Sequence, residues 1–197
     1  MSEPQATNPG PLADQPVESP AESDAGWSDA YTIRTFRDAD AEACRTLYTA
    51  GILGGQLAEN DTGLDIDDIP MAYLQGGLNH FWVAEVAPGQ GERVGAPDGT
   101  VIGMIGVQHH DEGIGEIRRL RVADPHRRRR VGSRLLDIAV RFCREKGCLK
   151  VALDTFIERS AAVSLFEKHR FRHGRTRQTQ GKDTLYFYLD FYASEER

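Results

Sequence analysis

Glu116 through Leu136 reads EIRRLRVADPHRRRRVGSRLL, and this short stretch holds a strand, a basic loop and the start of a helix. Glu116–Val122 has strand character and stops at Asp124-Pro125, because proline lacks a ladder donor and disfavours helical backbone before it. From Ser133 to Lys146, Leu135, Ile138, Ala139 and Phe142 form one apolar stripe, with Arg134, Asp137, Arg141 and Arg144 on the other side. Gly147 is a natural stop for this amphipathic helix. A loop that feeds a helix N-terminus presents unpaired N–H groups and the positive end of the dipole, which together favour an anion. Arg127, Arg128, Arg129 and Arg130 add charge and bidentate donors there, and Gly132 permits close backbone approach. Taken alone, the arginine run reads equally well as a solvated basic face.

Downstream, Leu149–Thr155 reads as a strand, and Ala162, Leu165, Phe166 and His169 repeat helical spacing. Thr184–Tyr192 alternates strictly, with Leu185, Phe187, Leu189 and Phe191 on one face and Tyr186, Tyr188, Asp190 and Tyr192 on the other. Upstream, Tyr31–Phe36 suits a first strand, followed by a helix capped by Asp38 or Asp40 and running to about Ala50. Residues 51–79 are broken by glycines, with Pro70 opening a short helix over Met71–Gln75. Phe81–Val86 and Val101–Gln108 then predict an antiparallel hairpin across a Gly/Pro-rich linker. The order predicts an α/β (α+β) three-layer sandwich around a mixed sheet.

The chain has 197 residues and a formal net charge of −6. Residues 1–30 carry Glu3, Asp14, Glu18, Glu22, Asp24 and Asp29 with no lysine or arginine, so they account for all of that charge. Rich in Pro, Ser and Ala, this stretch is expected to be a disordered tail preceding one domain over residues 31–197. The remainder is neutral, which argues against a general nucleic-acid-binding surface. No apolar run reaches the roughly 20 residues of a membrane span, and no basic region followed by an apolar stretch marks a secretory leader. Cys44, Cys143 and Cys148 match no zinc pattern and cannot all pair, so a reduced, cytoplasmic protein without a metal is expected. Cys143 reads as a buried small hydrophobe and Cys148 as a surface thiol.

Residues 116–136 resemble the acetyl-CoA-binding motif of the GNAT superfamily of N-acetyltransferases: a strand ending in an apolar residue, then Arg/Gln-x-x-Gly-x-Gly/Ala opening a helix that continues Leu-Leu. Arg127 takes the Arg/Gln position, Val131-Gly132 the last two and Leu135-Leu136 the helix, while Arg130 stands where the first glycine is usual. Leu149–Thr155 and Ser160–Phe171 are similar to the family's next strand and helix, with Ser160 in place of Asn, Phe166 in place of Tyr and Arg170-Phe171 in place of Gly-Phe. The likeness covers about residues 31–192 and is specific over 116–171. It implies a mixed, mostly antiparallel sheet with helices on both faces, and acetyl-CoA as co-substrate. Leu120, Arg121 and Val122 would pair with the pantetheine arm, Arg127–Ser133 would hold the pyrophosphate, and Ser160 and Phe166 would line the same site. Acetyl transfer to a primary amine, by direct attack in a ternary complex, is the implied reaction. The acceptor is a small molecule or a peptide amine, with a homodimer left open.

An ammonium of pKa about 10.4 must lose its proton before it attacks a thioester, so a base is needed. Glu116, at the start of the strand that would line the thioester, is the first candidate; the alternative is that it only pairs with Arg118 or Arg119. His109 and His110 point to opposite faces, so at most one reaches the cleft. The family's tyrosine protonates the departing thiolate in many relatives, which Phe166 cannot do; Tyr186, Tyr188, Ser160 or water can stand in. The two rival readings are a CoA-binding sensor with little catalysis, suggested by Phe166 and Arg130, and a nucleic-acid-binding module using the arginines.

Overall fold

The alternating stretches pair into one seven-stranded sheet in the computed structural model, which describes residues 27–51, 61–110, 113–179 and 181–193. In chain order the elements are β1 (Tyr31–Thr35), α1 (Ala41–Ala50), the short helices α2 (Leu64–Asp67) and α3 (Ile69–Tyr73), β2 (His80–Val86) and the one-turn α4 (Gly91–Val94). They continue with β3 (Val101–His110), β4 (Ile114–Val122), α5 (Val131–Glu145), β5 (Lys150–Phe156), α6 (Ser160–Lys168), β6 (Arg172–Thr179) and β7 (Lys182–Asp190). The spatial order is β1-β2-β3-β4-β5-β7-β6, with β4 and β5 parallel and every other neighbouring pair antiparallel.

Both faces of the sheet are covered, as the apolar patterns require. On one face Trp82, Ile105, Val107 and Ile117 pack with Leu135, Leu136, Ala139 and Cys143 of α5. On the other, Phe81, Val83 and Met104 pack with Leu47 and Tyr48 of α1, Ile66 of α2, and Ile69 and Tyr73 of α3. The short helix expected at 71–75 lies two residues earlier, because the Asp68 carboxylate accepts the Met71 N–H at 3.1 Å and caps it there. α4 falls inside the linker read as loop. Cys148 is buried rather than exposed: the turn after α5 bonds its N–H to the Cys143 carbonyl at 3.0 Å and folds it inward. Burial pushes the Cys143 thiol up to about 12 and raises that of Cys148.

Of the acidic stretch, residues 1–26 lie outside the described residues, whereas Trp27–Ala30 pack onto the domain. Ala30 is fully buried, and Trp27 stacks on Tyr31 with ring centroids 6.2 Å apart.

The centre of the sheet is irregular. Gly106 of β3 faces Arg118 and Met104 faces Arg121, so Arg119 and Leu120 together stand opposite Ile105 in a bulge. Arg119 takes the left-handed region there, at φ 58°. β4 and β5 pair only at Ile114↔Lys150, Gly115↔Val151 and Glu116↔Ala152, and beyond that the strands separate.

Candidate functional site

The separation leaves the β4 backbone from Ile117 to Val122 without a strand partner on the β5 side among the described residues. The bulge that opens it is held by a buried charge cluster. The Arg119 guanidinium donates to Asp61 at 2.7 Å through both terminal nitrogens and, through Nε, to Asp65 at 2.8 Å. It also lies 4.9 Å from the centroid of the Tyr48 ring, and Tyr73 donates its hydroxyl to Asp65. Burial would raise the carboxyls of Asp61 and Asp65, but the hydrogen bonds from Arg119 outweigh it and hold both below the usual range. Arg119 is thus spent on α2 and the loop before it, and does not pair with Glu116.

The wide end of the gap meets the start of α5. The first intrahelical bond there runs from the Arg134 N–H to the Arg130 carbonyl at 3.0 Å, so the N–H groups of Val131, Gly132 and Ser133 have no acceptor within the helix. Gly132 lies between Val122 and Leu165, where an added Cβ would stand 3.7 and 3.5 Å from their side chains. Arg130 caps the helix in the left-handed region (φ 59°), so the conformation that favours glycine is carried by an arginine.

The arginine run does not act as one patch. Arg127 folds onto the Val122 carbonyl at 3.2 Å and Asp124 at 2.7 Å. Arg129, expected on the pyrophosphate, is turned away: its guanidinium lies 4.1 Å from the Trp27 ring and donates to the Val94 carbonyl at 3.3 Å. Arg128 and Arg130 are exposed. Ser133 offers its N–H, while its hydroxyl is shared with His169 Nε2 at 2.8 Å. Arg121 is enclosed, with an Nε that has no partner among the described residues. Burial, with the nearby charges of Arg159 and Arg119, pushes its pKa down to about 10. Arg159 donates to the Gly51 carbonyl and is itself lowered by burial and by Arg127. Sequence reasoning missed Arg159, which belongs to no pattern in its own segment. Guanidiniums crowded together are relieved by an anion.

Leu120 and Val122 turn their side chains toward the α5 core and leave their backbone on the open edge. Ser160 begins α6 and is exposed. Phe166, expected to line the cofactor, instead packs into the core between Phe171 and Phe187, at centroid distances of 6.0 and 5.9 Å, because an aromatic ring gains more from that cluster than from water.

At the narrow end stands Glu116, half-buried, hydrogen-bonded to His110 Nε2 and 3.9 Å from Arg118. Asp154, two residues beyond Ala152 on β5, shares its face. It is open to solvent along the cleft yet closely surrounded, and burial together with the Glu116 carboxylate raises its pKa, against the pull of Arg118. Its one sequence signal is that it is the single charge in the apolar run of Leu149–Phe156 after Lys150. Tyr186 pairs with Asp154 across β5 and β7, and Tyr188 pairs with Ala152, so both tyrosines project from this face. The arrangement places a carboxylate pair at one end of an open backbone edge and an anion-attracting helix start at the other.

The sequence model of the Acetyltransferase (GNAT) family matches residues 64–171. The chain is 31% identical over 113 residues to a probable N-acetyltransferase camello of Xenopus tropicalis, covering 56% of this chain and 47% of the relative. It is 28% identical to human N-acetyltransferase 8, covering 55% and 45% respectively. The chain thus spans about half the length of these relatives. Among solved structures it superposes on yncA, a putative acetyltransferase from Salmonella typhimurium solved with its cofactor acetyl-CoA, with TM-score 0.66, 19% identity, 84% of this chain and 96% of that one. Ard1 from Thermoplasma volcanium gives TM-score 0.64 at 23% identity, with 82% and 97% covered. These two likenesses are of fold.

Proposed function

The chain belongs to the GNAT family of acetyltransferases, and from that premise we propose that it transfers an acetyl group from acetyl-CoA to a primary amine by direct attack in a ternary complex. The observation that carries this reading is a β4 edge with no strand partner among the described residues, its Leu120 and Val122 carbonyls met only by the side chains of Arg121 and Arg127, leading to the N–H groups at the start of α5. The residues present fit the co-substrate: the backbone of Leu120–Val122 offers an extended arm a strand to pair with, and the N–H groups of Val131–Ser133 with Arg128 and Arg130 suit a pyrophosphate. Arg121 and Arg159 supply further positive charge. Acetyl-CoA, when bound, supplies an activated acyl group on a thiol of pKa about 8.5, a tolerable leaving group.

Glu116, oriented by His110, takes the proton from the incoming ammonium, and Asp154 keeps the local field negative so that the ammonium is drawn in. A backbone N–H near Val122 polarises the acyl carbonyl. Tyr186 is the hydroxyl positioned on the same face to return a proton to the departing sulfur, the role that Phe166 lacks the atom to fill. The carboxylate pair in the cleft favours catalysis over a pure CoA sensor. The inward commitment of Arg119 and Arg121, and the capture of Arg129 by Trp27, disfavour an outward nucleic-acid surface.

Calorimetric titration with acetyl-CoA tests the loop. An added Cβ at Gly132 meets only the side chains of Leu165 and Val122, at ordinary contact distance, so the backbone itself does not forbid a larger residue there. Gly132→Trp should weaken acetyl-CoA binding at least tenfold while the fold, followed by circular dichroism, persists. Undiminished affinity would remove the loop from the co-substrate site.

A further inference from the structure

The face that carries Glu116 and Asp154 runs outward to a strongly basic edge that acetyl transfer as described leaves unused. β6 is an edge strand of the sheet and, among the described residues, pairs only with β7. Its register runs Arg172↔Tyr188 and His173↔Phe187, then, past an extra residue at Gly174, Arg175↔Tyr186 and Arg177↔Thr184. Without that extra residue, alternation would turn Gly174 and Thr176 to the tyrosine face and send Arg175 and Arg177 to the opposite one. With it, Arg172, Arg175 and Arg177 share the face of Tyr186 and Tyr188. The position suits a glycine, since an added Cβ would stand 3.2 Å from the Tyr188 ring.

The Arg175 guanidinium lies 4.7 Å from the Tyr186 ring centroid and that of Arg177 lies 5.9 Å from it. All three arginines are exposed, and among the described residues no carboxylate forms an ion pair with them. An edge strand needs charge to resist pairing with other chains, but charge on either face meets that need. It does not account for a bulge that gathers arginines over an aromatic ring. Asp154 pairs with Tyr186, and Tyr186 with Arg175, so Asp154 and Arg175 stand two strand spacings apart, about 10 Å. One face therefore presents a negative pole, a tyrosine and a positive pole in line.

We propose that the acceptor is a small primary amine carrying an anionic group, a carboxylate or a phosphate, several ångströms from its nitrogen: the amine lies at Glu116 and Asp154, and Arg175 and Arg177 hold the anion beside Tyr186. This rests on the acetyl-transfer reading and names its substrate class. A guanidinium fork matches either anion bidentately, and an acceptor without the anion leaves both forks unanswered. An α-amino acid, whose charges sit one carbon apart, is too short to span the poles; an ω-amino acid or an aminoalkyl phosphate spans them.

The test compares matched pairs of acceptors with the full chain and acetyl-CoA: 6-aminohexanoate against 6-aminohexanamide, and 3-aminopropyl phosphate against 3-aminopropanol. The anionic member of at least one pair should be preferred tenfold or more in kcat/KM, through KM, and the pair that shows it distinguishes carboxylate from phosphate. In Arg175→Gln/Arg177→Gln the preference should collapse toward one, and Arg175→Lys/Arg177→Lys should restore part of it. Ratios near one in both pairs, or a preference that survives the double glutamine variant, overturn the proposal. Calorimetric binding of the same pairs to the CoA-loaded protein decides the matter even without turnover, equal binding again overturning it. Acetyl-CoA titrated alone reports on the family reading separately, so intact acetyl-CoA binding with no anion preference refutes this inference only.

Discussion

Asp154 shows how one residue's surroundings couple stability to chemistry. Its carboxyl is raised by burial and by the Glu116 charge, so the folded state holds its proton to higher pH than the unfolded chain, where an aspartate titrates near 3.9. Below that value both states are protonated and nothing is lost. As pH climbs through the interval up to the raised folded value, the unfolded chain ionises first and stability falls, leaving a constant penalty at neutral pH. Asp154→Asn should therefore raise the melting temperature at pH 7, and the advantage should narrow as pH is lowered toward 4; a variant less stable than the parent at pH 7 would contradict this. Glu116→Gln should behave differently, because its carboxylate is assigned the proton transfer. Turnover should fall by about 10²–10⁴ with acetyl-CoA affinity retained, the usual share of a general base. If kcat is instead preserved and the melting temperature drops, Glu116 is only a partner of His110 and Arg118.

The elements differ in how much of their stability is local, and α5 tests this at its N-cap. Arg130 holds a left-handed backbone at the helix cap, which costs a non-glycine residue about 1–2 kcal/mol. Arg130→Ala and Arg130→Gly both remove the guanidinium, so the difference between them isolates the backbone. The glycine variant should be the more stable by about 1 kcal/mol in urea denaturation, and equal midpoints would mean the cap carries no strain. The same contrast explains what could be read from residues in order. α5 and β7 announced themselves through Leu135, Ile138 and Phe142 and through Leu185, Phe187 and Leu189, because one face of each is buried. β6, Arg-His-Gly-Arg-Thr-Arg-Gln-Thr, shows no apolar alternation: it is exposed on both faces and exists because β7 offers it a ladder. The bulge at Arg119 was equally silent, since its partners Asp61 and Asp65 lie more than 50 residues away. For the proposed site, the helix start with its N–H groups lacking an acceptor within the helix is legible as local backbone chemistry. Asp154 and the face of Arg175 acquire meaning only from strand register, and Arg159 only from its contact with the Gly51 carbonyl and its nearness to Arg121.

At the scale of the whole molecule, charge and packing meet at the N-terminal boundary. Five of the six acidic residues of the stretch before Tyr31 precede Trp27, and their segment has too few apolar residues to bury much area. The next four residues are different. Trp27 stacks on Tyr31 beneath the guanidiniums of Arg129 and Arg93, Asp29 pairs with Arg93 at 3.2 Å, and the Ala30 carbonyl accepts the Ala87 N–H at 3.0 Å. Arg134 of α5 donates to the Ser28 carbonyl at 2.6 Å, so this short segment ties β1 to the helix that opens the anion cradle. Cation–π contacts at exposed sites contribute about 0.5–1 kcal/mol each, and the half-buried indole adds part of the several kcal/mol of a core aromatic. Removal of residues 1–26 should leave the melting temperature within about 1 °C. Removal of residues 1–30 should lower it by about 4–8 °C, the equivalent of roughly 2 kcal/mol for a chain of this size. Arg129, released from Trp27, would then be free to swing toward the loop, so the shorter chain should bind acetyl-CoA no more weakly than the longer one when both are measured well below their melting points. Equal melting temperatures for the two truncations would show that Trp27 is a surface ornament, and a loss of acetyl-CoA affinity confined to the second would show that the Trp27–Arg129 stack shapes the cradle itself.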